Sequence, residues 1–156
     1  MSMGVNLRKI KKLKYWEENT SITVVDINLG DEHIIFDLRS ELKFDNDSVN
    51  SQLNDQPTHY AFIAMLHKRA LVLKREKERV LEKTRARLFS RIKSQDKVAN
   101  DLAEALVTKD KEYQDVYKEY LSISASVDLL EVCVRAFEQR SMLMQTVSAN
   151  IRRDRV

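Results

Sequence analysis

The chain has 156 residues, enough for one folded unit with a real core; 33% of them are charged, glycine occurs twice and proline once. That composition favours long helices over sheets and turns. The net charge of +3 hides segregation: residues 1–16 carry five bases and no acid, 17–56 two bases and ten acids, 57–97 twelve bases and four acids, and 98–156 eight bases and ten acids. Two basic segments divided by an acidic one imply a polyanion partner, or pairing of the acidic strip with the basic helix inside the chain.

In chain order, the arm NLRKIKKLKYW, residues 6–16, sets Leu7, Ile10, Leu13 and Lys14 at helical spacing opposite Arg8, Lys11 and Lys12. Residues 21–38 hold two β-branched runs, 22–27 and 33–36, around a turn signal at 28–31, which predicts a small β-hairpin. Two strands alone are marginal in water, so this hairpin must dock on helices or pair across subunits. KFDNDSVNSQLNDQ, residues 43–56, is polar and rich in Asn, Asp and Ser, and reads as a linker.

Pro57 suits the first turn of a helix, with Asn54 or Asp55 as its cap, and no further proline or glycine follows. Leu66, Ala70, Leu73, Lys77, Leu81, Thr84, Leu88 and Ile92 form a stripe at close to helical spacing, so the first long helix is expected over residues 57–94. A break is expected over 94–101, with Asn100 or Asp101 capping a second helix. Its series Leu102, Leu106, Lys109, Tyr113, Val116, Tyr120, Ile123, Val127, Leu130, Val134, Phe137, Ser141, Met144, Ser148 and Ile151 alternates steps of four and three, a heptad seam.

The expected fold is mainly α: two long helices forming a helical hairpin, with a small N-terminal β-hairpin extension. Residues 1–45 form the basic arm and extension, and 46–156 the helical domain. Tyr117, Leu121, Leu129, Val132, Cys133 and Leu143 widen the seam beyond one partner helix. Self-association is the economical way to bury them, with Tyr113, Val116, Tyr120, Val127, Leu130, Val134, Phe137 and Met144 expected at the oligomer contact.

Catalytic signatures are missing. Gly4 and Gly30 are isolated, so no glycine-rich loop cradles a phosphate. His33, His59 and His67 stand without ligand-spaced partners, so no metal and no cofactor is expected. Cys133, the single cysteine, forms no internal disulfide and reads as a small buried hydrophobe in a reducing compartment, the cytoplasm. No run reaches the roughly 18 apolar residues of a membrane span, and residues 8–14 are followed by Tyr15, Trp16, Glu17 and Glu18 rather than an apolar signal core. An enzyme is not expected.

The stretch EKTRARLFSRIK, residues 82–93, places Lys83, Arg85, Arg87, Arg91 and Lys93 around Ala86, Leu88, Phe89 and Ile92. On a helix Lys83, Arg87 and Arg91 lie on one line while Arg85 projects elsewhere, beside Phe89. No acid occurs from Lys83 to Gln95, so these bases lack neutralising partners on their own helix and suit a phosphate track.

EKTRARL, residues 82–88, resembles the basic-Ala-Arg-Leu motif of the bacteriophage recombination mediators of the UvsY type, with Arg85 and Arg87 at its two basic positions. LVTKDKE (106–112) and AFEQRSMLMQTV (136–147) are similar to that family's C-terminal region, and DLRSEL (37–42) to its start, so the resemblance spans roughly residues 37–153. It implies an oligomeric, ring-like mediator in a bacterial host's cytoplasm. Such a protein binds single-stranded DNA, helps displace the single-strand-binding protein and loads a RecA-like recombinase.

The expected DNA-binding residues are Lys83, Arg85, Arg87, Arg91 and Lys93, with Arg8, Lys11, Lys12 and Trp16 a possible second contact. Phe89, Tyr15 and Trp16 adjoin bases and are the stacking candidates. Two other classes compete: a coiled-coil structural or scaffolding subunit whose basic ridge meets acidic protein, and a duplex-binding regulator, for which no helix-turn-helix or zipper signature is present.

Overall fold

In VVDINL every second side chain points the same way, so Val25, Ile27 and Leu29 are buried while Val24, Asp26 and Asn28 face water. A computed structural model, describing residues 23–30 and 32–154, makes this segment strand β1 (Val24–Leu29). It pairs antiparallel with β2 (Glu32–Asp37), Val24 opposite Asp37 and Leu29 opposite Glu32. The reversal passes through Gly30 at φ +69°, in the left-handed region that a glycine enters without strain. The basic arm, with Arg8, Lys11, Lys12, Tyr15 and Trp16, lies outside the described residues.

Four helices follow: α1 (Leu38–Leu42), α2 (Val49–Asp96), α3 (Asn100–Lys109) and α4 (Lys111–Arg153). The chain is thus mainly helical with a small N-terminal hairpin, as expected. Asp37 caps α1: its carboxylate accepts the Arg39 N–H and the hydroxyls of Thr23 and Ser40. The Ser40 and Thr23 bonds hold its pKa below the ordinary carboxylate value.

The first long helix starts at Val49, eight residues before the expected Pro57, and Pro57 lies inside it. Polarity had marked residues 43–56 as linker; tertiary contacts override that signal. Asp45 accepts the Ser48 N–H at 2.7 Å, Val49 is fully buried, and Asn50 accepts from the Ser148 hydroxyl. Gln52 and Gln56 are held by Arg140. Pro57 removes one N–H from the ladder, so the Leu53 carbonyl loses its usual partner.

Pairs 50–148, 60–138, 77–119 and 87–112 show that α2 and α4 run antiparallel along their length. All eight residues of the expected α2 stripe are buried or half-buried; Leu66, Ala70, Thr84 and Leu88 are the most enclosed. On α4 the seam holds from Ile123 onward through Val127, Leu130, Phe137 and Met144. Val25, Ile27 and Leu29 join Ile63, Leu66, Ala70, Ile123, Val127, Leu130, Cys133 and Phe137 in one core. Each buried aliphatic contributes about 1.5–3 kcal/mol, which is what makes a two-stranded hairpin stable here. The hairpin thus docks on the helices, as its marginal stability alone requires.

The second helix is not one piece. At Asp110 the backbone turns extended (ψ 133°), ending α3 and starting α4, and its carboxylate accepts the Glu112 N–H at 2.9 Å. Upstream of this corner α3 buries Ala103 and Val107, while the expected seam residues Leu102 and Leu106 are exposed. The α2–α3 turn lies at residues 97–99, within the expected break, with Lys97 in the left-handed region. Asp110→Ala is expected to cost about 1 kcal/mol of unfolding free energy in urea titrations, since it removes the cap.

Cys133 is fully buried among core residues, and desolvation raises its thiol pKa to about 11. Thiolate is then scarce at neutral pH, so a thiol-reactive dye at pH 8 is expected to label Cys133 only after denaturation.

Candidate nucleic-acid interface

Helix α2 carries eleven lysines and arginines, and the fold divides them into two sets. Seven are engaged. Arg69 pairs with Glu32 of β2 at 2.8 Å, Lys77 with Glu119 of α4 at 2.6 Å, and the Lys74 ammonium lies 6.0 Å from the centre of the Tyr120 ring. Arg85 donates through Nε and Nη2 to one oxygen of Glu104 on α3, at 3.2 and 2.8 Å. That bond, and the charge behind it, raises the Arg85 pKa above its ordinary value. Arg87 pairs with Glu112 of α4, and Arg91 with the capping Asp110 at 3.0 Å. Lys93 donates to the Val98 carbonyl at 2.5 Å.

The expected phosphate track therefore does not form as one surface. Lys83 is exposed, but Arg85 meets α3 whereas Arg87 and Arg91 meet the α3–α4 corner. The charge missing along their own helix is supplied by carboxylates that sequence separation concealed. Of the expected pairing between the acidic strip of residues 17–56 and the basic helix, the described residues hold one instance, Glu32 with Arg69; the other carboxylates on the helix come from residues 104–119. These pairs are exposed, so salt screens them and a competing anion can displace them.

The other four bases are Lys68, Arg75, Arg79 and Lys83, all exposed and none in an ion pair or side-chain hydrogen bond among the described residues. With Val72 they recur at steps of four, three, four and four, which is one face of a helix, opposite the buried stripe. The same face continues through Ala86 and Ser90 without an acid; Glu76, Glu78 and Glu82 flank it. From Lys68 to Lys83 the row is about 22 Å long at 1.5 Å per residue. Sequence reading passed over Lys68, Arg75 and Arg79 because it followed the density of bases; their helical spacing opposite the apolar stripe would have found them.

Stacking groups are sparse on this face. Phe89 is half-buried and lines a shallow recess with Arg85 and Glu104, away from the row. Phe62, 57% exposed, lies near its N-terminal end. What the face offers is a line of exposed cations suited to phosphates.

Four residues expected at subunit contacts, Val127, Leu130, Phe137 and Met144, are instead buried inside this chain, while Tyr113, Val116, Tyr120 and Val134 are half-buried. The reason is that α2 and the hairpin together cover the α4 seam. Left exposed are Tyr117, Leu121, Leu129, Val132, Met142 and Leu143.

A buried polar cluster also escaped sequence reading. Arg140, 5% exposed, donates to the Leu42 carbonyl at 3.2 Å, to Gln52 at 2.6 Å and to Gln56, and lies over the Phe44 ring. It ties α1 and the start of α2 to α4. Among the described residues no three His, Cys, Asp or Glu groups are placed to hold a metal ion, and no helix is long and apolar enough to cross a membrane. No family model matches the chain, and no curated protein or solved structure does either, so the basic face must be read from its own chemistry.

Proposed function

We propose that this protein is a nonenzymatic recombination mediator that binds single-stranded DNA through the outer face of α2. The observation that carries the reading is the division of the α2 bases: seven have partners within the chain, and Lys68, Arg75, Arg79 and Lys83 stand in a row on the outer face with none among the described residues. Four cations in a row neutralise a phosphate backbone without reading sequence. The mediator role, with displacement of a single-strand-binding protein and loading of a RecA-like recombinase by an oligomer in the host cytoplasm, comes from the resemblance of residues 82–88. Arg85 and Arg87 enter DNA contact only where phosphates displace Glu104 and Glu112.

The test is fluorescence anisotropy with a labelled oligo-dT and a duplex of equal length at low salt, followed by competition with a single-strand-binding protein. Tighter binding to the single strand, with both proteins held on it together, is the expected result. Failure to bind either nucleic acid overturns the proposal. A second reading, a coiled-coil structural subunit, is favoured by the exposed apolar residues of α4, and it predicts that failure.

A further inference from the structure

The exposed apolar residues of α4 are ordered. Leu121, Val132 and Leu143 are 46%, 57% and 58% exposed and recur every eleven residues. Eleven residues make almost three whole turns, so the three lie in line along a straight helix, over about 33 Å. Ala125 and Ala136 fall between them, and the intervening Gln139 is uncharged. This stripe is separate from the buried seam of Val127, Leu130, Phe137 and Met144, and neither α2 nor the hairpin covers it.

From this pattern we infer that the stripe is the contact between two copies of the chain, packed antiparallel about a twofold axis at Val132. The spacing is symmetric about that residue: Leu121 precedes it by eleven and Leu143 follows by eleven. Antiparallel pairing sets Val132 against itself and Leu121 against Leu143 of the second copy. Ala125, seven residues before the axis, then meets Gln139, seven after it, a small residue facing a longer one.

Charge decides the direction. Asp128 lies four residues before Val132 on one flank of the stripe, and Arg135 three residues after it on the same flank. In the antiparallel arrangement each Asp128 stands beside Arg135 of the second copy, giving an opposite-charge pair on either side of the axis. Glu131, which pairs with Arg135 at 2.5 Å within the chain, is within reach of the same guanidinium. A parallel arrangement brings the opposite flank of the second copy, with Ala125, Leu129 and Ala136, beside Asp128 and Arg135, and so leaves both charges without a partner across the contact. The contact is isologous, so it closes at two copies and builds a dimer rather than a ring.

The test uses no nucleic acid, so its outcome is independent of the DNA-binding proposal. Light scattering after size exclusion at tens of micromolar is expected to give twice the 18.3 kDa chain mass, and V132E to give the single-chain mass with an unchanged circular dichroism spectrum. A thiol-to-thiol bismaleimide resolves the direction: V132C alone crosslinks to a dimer, L121C mixed with L143C crosslinks, and neither L121C nor L143C crosslinks alone. Buried Cys133 contributes no background. A wild-type mass of one chain, an undiminished mass in V132E, or efficient self-crosslinking of L121C overturns the inference.

Discussion

Replacing Arg140 with methionine is expected to lower the unfolding free energy by about 3 kcal/mol, the largest stability effect of any single polar residue in the chain. The guanidinium is 5% exposed and serves the Leu42 carbonyl, the Gln52 and Gln56 amide oxygens and, at longer range, the Lys43 carbonyl. Methionine keeps the volume and the apolar stem but withdraws every donor, leaving acceptors without partners at about 1–3 kcal/mol for each one that water cannot reach. Burial lowers the Arg140 pKa while the charge of Glu41 opposes that shift, so the site holds a cation by hydrogen bonds rather than by a paired carboxylate. In urea titrations followed by circular dichroism, Arg140→Met shifts the midpoint down, whereas Arg135→Met, on the exposed side of the same helix, stays within roughly 0.5 kcal/mol of wild type. Equal midpoints for the two variants contradict the clamp.

The second large effect separates the two sets of α2 bases. R75A/R79A removes two of the four outer-face cations and is expected to weaken oligo-dT binding roughly tenfold at low salt, with no change in thermal stability, because neither side chain has an ion-pair or hydrogen-bond partner among the described residues. R85A/R87A removes bases that Glu104 and Glu112 already hold, so it is expected to change affinity by less than about threefold while loosening the α2 attachment to α3 and α4. The reverse ranking, with R85A/R87A abolishing binding and R75A/R79A neutral, returns the site to the 82–88 motif. Anisotropy titrations of the four proteins side by side read both outcomes.

Much of this architecture is legible in the sequence, for reasons visible at particular residues. The β1 alternation and the α2 stripe are periodic signals of single elements, and Val25, Ile27, Leu66, Ala70 and Leu88 fall where period two and period 3.6 place them. The start of α2 was hidden because Asn50, Gln52 and Gln56 look like loop residues until Ser148 and Arg140, about 84–98 positions away, become their partners. Asp110 was hidden for a different reason: an aspartate between two lysines in a charged helix is unremarkable, and only its extended ψ makes it a cap. The candidate site was half legible. Density of charge pointed to α2, but which bases remain unpaired depends on carboxylates 19 to 42 residues downstream.

The salt dependence of oligo-dT binding by the wild-type protein tests the outer-face assignment most directly. Four phosphate contacts to a single strand give log K against log salt a slope near −2.8, so affinity is expected to fall about 50-fold between 50 and 200 mM salt. No binding at 50 mM, or an affinity that salt leaves unchanged, contradicts the account.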